Sequence, residues 1–578
     1  MKAHINNRFL LSVLITGIGF HLADRVLGQT PDLVATSLTW NTTNGGLDFS
    51  YANQGAFLTT NTTAKLFWAN GPSLTNSFTN APIFTTNIPA GFSGQATNHV
   101  PESYLQSPPT NASRLLLILD PDNLITESTK TNNTLVLTNT FRHVVLVMME
   151  NRSFDHLLGW VPGAEGKQAG LTYANANGQT FSTWHLAPYF QGCGCDDPDH
   201  SFTGGRVEYD NGASDGWLRA NSNDLFSIGF YLPSDLSFLG QTAPQCTVCD
   251  RYFAAIMAET QPNRIYQHAA QTDSLTNREG LALLNFVTLP TIWDRLSQSN
   301  VSGFYYHAGP AIIGSVLSLW GLTKYSAISF GIDQFYQDCT NGTLPAVSFV
   351  DPLLTSSPLV GDTGGTDDHP HSDIRNGEAF LASVYNAIVS SPNWSSTVLV
   401  INFDEWGGFF DHVPPPVVPI EPAEQSLGND GRLGFRVPCL VISPWSRRGY
   451  VPHEQFDHTS VLKLIENRWG LAPLTVRDAG ANDLADVLDL DHPNFAAPPV
   501  ITNVPGGPFG GPCQSVQIAQ QSDGSILVTW DATCQKVQLQ ASSNTPEGPW
   551  DNLTTITNSP YVFTPIGQQH FFRGVFVK

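Results

Sequence analysis

Basic residues are scarce in this chain: 27 Lys and Arg stand against 49 Asp and Glu, a formal net charge of −22 over 578 residues. That balance argues against nonspecific attachment to nucleic acid or anionic lipid through a basic surface, and no nucleic-acid partner is expected. Phosphate substrates stay open, because a bound cation and a few focused His or Arg residues can reverse the local field. Long apolar runs are missing too. Phe9 to Phe20 and Ala311 to Leu322 both fall short of the roughly 20 residues that cross a bilayer. The first follows Lys2 and Arg8 and precedes Val26-Leu27-Gly28, so residues 1–28 read as a removable signal peptide. An exported protein is expected, secreted, periplasmic or at the cell surface, with no transmembrane anchor after signal removal. The second run reads as a buried helix or an apolar lip beside a pocket.

Cysteines number 8. Export makes disulfides available to Cys193/Cys195, Cys246/Cys249, Cys339, Cys439 and Cys513/Cys534, with no pairing dictated by sequence. Cys246-x-x-Cys249 lacks the partner motif of a redox or zinc site, which leaves a structural role. Hydrophobic residues make up 41% of the chain, enough to fold it, and its length exceeds what one core organises.

Three compositional regions follow. Residues 31–138 are rich in Thr, Asn, Gly and Pro around short alternating runs at Ser37–Trp40, Ala64–Trp68 and Arg114–Leu119, as in a β-sandwich accessory domain. Residues 139–495 change pattern. Apolar strands at His143–Met149, Thr397–Phe403 and Val437–Ile442 are interleaved with helical segments at Thr291–Ser299, Gly377–Val389 and Thr459–Trp469. Strands separated by helices predict an α/β fold, a central sheet with helices on both faces. A Pro/Gly-rich linker then leads to residues 508–578, which alternate again like a small β-sandwich. Both flanking β domains read as scaffolds or as contacts to a cell or extracellular surface.

Chemistry gathers where the apolar strands stop. Glu150-Asn151 and Asp404-Glu405 each place oxygen donors at a strand end, and one hard cation can gather such pairs. Either pair taken alone also suits a helix cap or a polar surface. Thr260, in Glu259-Thr260-Gln261-Pro262-Asn263-Arg264, opens a helical segment. By spacing it is either a cap or a hydroxyl nucleophile activated by a metal. His200, His369, His371, His412 and His458 sit beside carboxylates, which suits phosphate binding or proton relay as well as plain local hydrogen bonding. Asp457 or Thr459 can serve simply as a helix cap.

In order and in combination, these motifs resemble the bacterial phospholipase C and acid phosphatase family, a phosphoesterase branch of the alkaline-phosphatase-like α/β superfamily. The resemblance rests on Glu150-Asn151-Arg152-Ser153-Phe154-Asp155-His156, Asp199-His200-Ser201, Thr260-Gln261-Pro262-Asn263-Arg264, Asp404-Glu405-Trp406-Gly407-Gly408-Phe409-Phe410-Asp411-His412-Val413 and Asp457-His458-Thr459-Ser460. It covers roughly residues 141 to 475.

The resemblance implies an alkaline-phosphatase-like central sheet and a site holding one or more divalent or transition-metal ions. It places Glu150, Asn151, Thr260, Asp404 and Glu405 around the metal and makes Thr260 the transiently phosphorylated nucleophile. His200 and one of His369 or His371 would contact phosphate. His412, His458 and Arg264 would line or support the pocket. Family members with Ser at the nucleophile resemble phosphatases, whereas Thr resembles the phospholipase branch. The expected activity is therefore phospholipase C action on phosphatidylcholine-like lipids, with phosphomonoester hydrolysis as the alternative. A surface-binding protein that keeps the phosphoesterase fold is the nonenzymatic alternative.

Overall fold

The computed structural model describes residues 30–578 apart from 42–44, 79–80, 110–111, 193–194, 222–223, 279–285, 310–314, 355–363 and seven stretches beyond 507. The expected signal peptide and Cys193, Cys513 and Cys534 lie outside the described residues.

A seven-stranded sheet organises the middle of the chain. Its strands are β1 (His143–Met149), β2 (Thr247–Val248), β3 (Gly303–His307), β4 (Ser329–Gly331), β5 (Val347–Asp351), β6 (Thr397–Phe403) and β7 (Cys439–Ile442), in spatial order β2-β7-β6-β1-β5-β3-β4. Pairing from β6 through β1, β5 and β3 to β4 is parallel, and β7 runs antiparallel to both its neighbours. Alternate residues of a strand face opposite sides of the sheet. Every residue of β6, and every residue of β1 after His143, is buried, so the sheet centre is covered on both faces. The uninterrupted Val/Leu/Ile runs in these strands have that cause.

Among the described residues the longest helices are α1 (Thr260–Ala269), α2 (Ile332–Asn341), α3 (Ile374–Val389) and α4 (His458–Trp469), of which α1 and α4 reach the site. α4 packs on α1 and α2 on α3. Asp457 caps α4 by accepting the Thr459 N–H at 2.7 Å, and Gly470 ends it in the left-handed region at φ 64°.

Smaller antiparallel sheets flank this body. Before it lie Leu33–Trp40, Leu47–Asn53 and Gly94–Val100 in one sheet, with Phe84–Ile88, Thr62–Ala69, Arg114–Leu119 and Thr134–Thr138 in another. After it lie two three-stranded sheets between Gln517 and Val577. Cys246, Cys249, Cys339 and Cys439 are buried free thiols, packed as small apolar side chains rather than paired, and Cys195 is disulfide-bonded. Of the apolar run at 311–322, residues 315–322 are described: the short helix Ser315–Trp320, whose Val316 and Trp320 are buried, and then Gly321 and an exposed Leu322.

Leu399, fully buried at the centre of β6, tests the sheet core. Leu399→Ala is expected to cost about 2–5 kcal/mol in urea denaturation, since a cavity adds to the lost transfer free energy.

Candidate active site

The site is built by strand register. Parallel pairing sets Phe403 opposite Met149, and the ladder runs one step further through the Asp404 N–H donating to the Met149 carbonyl at 3.0 Å. Glu150 and Asp404 therefore leave the sheet side by side. The chain then turns sharply: Asn151 takes φ 55°, and its N–H donates to Asp404 Oδ1 at 3.1 Å. Gly407 is required by this approach. At φ 64°, a Cβ there would stand 2.1 Å from the Asn151 carbonyl oxygen.

Thr260 is the first residue of α1, one step beyond the N-cap position held by Glu259. It remains partly accessible, and its hydroxyl donates to Asn151 Oδ1 at 3.4 Å. Asn151 Nδ2 lies 3.3 Å from His200 Nε2, which in turn lies 3.7 Å from Glu405 Oε1. His369 joins this group, its ring centroid 6.2 Å from that of His200 and its Nε2 3.7 Å from Asp197 Oδ2. His371 turns elsewhere and bonds the Cys195 carbonyl at 2.9 Å.

One turn into α1, buried Arg264 reaches back under the strand ends. It pairs with Glu150 at 3.0 Å, Asp351 at 3.2 Å and Asp404 at 3.3 Å. His458 opens α4, fully buried, with Nε2 on the Asp404 carbonyl at 2.7 Å. Burial lowers its pKa to about 4, so the imidazole is neutral and donates from Nε2. Both residues brace the strand end from behind.

His412 belongs to a second, adjoining network. Its Nδ1 lies 2.5 Å from Asp155, while fully buried Arg436 pairs with Asp155 at 3.1 Å and Asp411 at 2.9 Å. This network joins the turn after β1 to the turn after β6. Ser153 Oγ donates to the Phe410 carbonyl at 2.6 Å, and the Arg152 N–H to the Glu405 carbonyl at 3.1 Å.

The electrostatics are lopsided. Glu150, Asp404 and Glu405 are all buried, and burial raises each carboxyl pKa; neighbouring acids raise Glu150 and Glu405 further, while Arg264 partly offsets the rise at Glu150 and Asp404 and His200 at Glu405. Glu150 Oε2 and Glu405 Oε1 are buried without a hydrogen-bond partner. Burial opposes charge on His200, yet Glu405 and Asp197 together push it up to about 10. Unpaired carboxylate oxygens beside an amide oxygen and a hydroxyl form a donor set that fits a hard cation.

Among the described residues, two Asp/His groups have ligand atoms within 4.8 Å of one another: Asp197, His200 and His369 at this site, and Asp155, Asp411 and His412 in the adjoining network. The second already holds the Arg436 guanidinium, so of these two groups the first is the one open to an ion. Asp197, Asp351 and Arg436 were not singled out from sequence. Asp351 was within reach, since it ends an apolar strand just as Glu150 and Asp404 follow theirs; Asp197 sits in an acidic run without any periodic signal.

A hydroxyl, imidazoles and buried carboxylates thus gather beyond the carboxyl ends of a mostly parallel sheet, the place where α/β folds commonly take their ligands. The chain belongs to the Phosphoesterase family, whose profile matches residues 141–472, and is a phosphoesterase-type hydrolase. It is similar to phospholipase C B of Mycobacterium tuberculosis, 34% identical over 62% of this chain and 78% of that protein. Non-specific phospholipase C1 of Arabidopsis thaliana is 32% identical over 58% of this chain and 69% of its own length. A solved structure from the alkaline phosphatase superfamily of Vibrio parahaemolyticus aligns over 72% of this chain and 83% of its own, with 9% identity and a TM-score of 0.31, too distant to decide anything here.

Arg436→Met leaves Asp155 and Asp411 buried without their cation. A loss of about 3–5 kcal/mol in chemical denaturation is expected.

Proposed function

We propose that the protein is a metal-dependent phospholipase C of the alkaline-phosphatase-like type, acting on phosphatidylcholine-like lipids through Thr260. The observation that carries this reading is the partly accessible Thr260 hydroxyl on Asn151 Oδ1, close to a group of buried carboxylates in which Glu150 Oε2 and Glu405 Oε1 have no hydrogen-bond partner. Phospholipase C activity is carried over from the names of the relatives in Mycobacterium tuberculosis and Arabidopsis thaliana. Glu150, Asn151, Thr260, Asp404 and Glu405 are the proposed metal ligands. A bound cation would favour the deprotonated hydroxyl and offset charge on the phosphate oxygens.

In the first step Thr260 Oγ1 attacks phosphorus, the bond from phosphorus to the glycerol oxygen breaks, and a histidine proton goes to the departing diacylglycerol. His200 and His369 are the candidates for this proton and for holding the equatorial oxygens. His371, bound to the Cys195 carbonyl, is the weaker candidate. In the second step water attacks phosphorus, releases Thr260 and yields the phosphorylated headgroup. Arg264 and His458 act by positioning Glu150 and Asp404. The β sheets at 31–138 and 508–578 fit accessory β-sandwich domains around a catalytic domain at 139–495.

Release of phosphocholine from phosphatidylcholine, faster than inorganic phosphate from p-nitrophenyl phosphate, is the expected outcome; the reverse preference would make the protein a phosphatase. Thr260→Ala is expected to lower turnover on the order of 10³-fold or more, and acid quenching of the wild type during turnover of phosphatidylcholine should trap a Thr260 peptide carrying phosphocholine in mass spectrometry. Normal turnover by Thr260→Ala would end the covalent mechanism.

Metal binding has its own readout. A divalent ion at about 100 times its Kd should stabilise the fold by roughly 2.7 kcal/mol, and Glu405→Gln should remove most of that gain in thermal melts.

A further inference from the structure

At the amino ends of β1 and β5, opposite the proposed catalytic pocket, lies a cavity of about 400 Å³. The seven residues of β1 separate the two, roughly 20 Å at about 3.3 Å per residue. Its walls come from the N-terminal sheet through Trp40, from the segment around Glu102, from Arg142 and His143 at the start of β1, and from Arg468 and Trp469 at the end of α4.

The charge inside this cavity is not balanced. Arg142 pairs with Glu102 and lies with its guanidinium 4.5 Å from the Trp40 ring centre. Arg468 donates from Nε to the Phe141 carbonyl at 2.7 Å, and among the described residues no carboxylate pairs with it. Burial, then the charge of Arg142, lowers the Arg468 pKa to about 10. His143 is held neutral, its pKa lowered to about 4 chiefly by burial. Two guanidiniums thus face one carboxylate. Arg264, Arg436 and Arg477, buried elsewhere in the chain, each pair with at least one acid of their own.

Trp40, Trp469 and Phe304 supply flat apolar walls beside the Arg142 and Arg468 guanidiniums.

We infer that this cavity is a binding site for a small aromatic monocarboxylate. One excess positive charge matches one carboxylate, a planar fork that suits guanidinium geometry, and the aromatic walls take the ring. The site is separate from the phosphoesterase reaction and does not depend on how that reaction proceeds.

Calorimetric titration of the full chain with phenylacetate tests this, with phenylacetamide as the uncharged control. One saturable site for phenylacetate and none for phenylacetamide is expected. Arg468→Met and Trp469→Leu, both with unchanged p-nitrophenyl phosphate turnover, should each bind phenylacetate at least tenfold more weakly. Should Arg468→Met fail to fold by circular dichroism, Trp469→Leu, which keeps an apolar side chain and removes the aromatic wall, decides alone. Absence of phenylacetate binding, equal binding of the amide, undiminished binding by folded variants, or purely competitive inhibition of phosphate-ester turnover would each overturn the inference.

Discussion

The parallel pairing of β1 with β6 is the constraint on which the rest of the site depends. With Phe403 set against Met149, the next residue on each strand is a carboxylate, and the two emerge as neighbours. A slip of one residue would send every side chain of a strand to the opposite face of the sheet. Fully buried apolar strands cannot adjust to such a slip locally, so the sheet core and the spacing of Glu150 and Asp404 are one and the same constraint.

Gathering acids in a buried place is unfavourable, and the fold meets that cost from behind. Arg264 projects from α1 to three carboxylates at once, and neutral His458 holds the Asp404 carbonyl. Arg436 does the corresponding work for Asp155 and Asp411, joining the two turns that carry the polar residues. Compensation is incomplete on the open side, where Glu150 and Glu405 keep unpaired oxygens next to Asn151, Thr260 and His200. The back of the site is thus a closed ion-pair network and the front an unsatisfied one, which is where a cation and an anionic ester can enter.

Much of the fold was legible from residue pattern alone. The apolar runs at His143–Met149 and Thr397–Phe403 are strands with those bounds, and the helix expected over Thr459–Trp469 begins at His458, one residue before the predicted start. Thr260 and Asp457 show the limit of such reading. Both precede helical stretches and both have capping chemistry, but only Asp457 caps with its side chain; Thr260 lies one position inside its helix and points its hydroxyl at Asn151. The histidines divide in the same way. Each stands beside an acid in sequence or, like His371, two residues from one, yet His200 and His369 meet across 169 positions of chain while His412 and His371 find other partners.

Strand identity, the order of the polar motifs and membership in a phosphoesterase family followed from the sequence by itself, because apolar periodicity and motif order are properties of neighbours along the chain. Which acids gather at one strand end, which arginine pairs with them, which histidine meets Asn151 and where two guanidiniums are left with one carboxylate were decided only by tertiary structure. Burial and pairing over several ångströms depend on how distant segments meet, and an Asp beside a His in sequence carries the same pattern whether it closes an ion-pair network or opens onto a substrate.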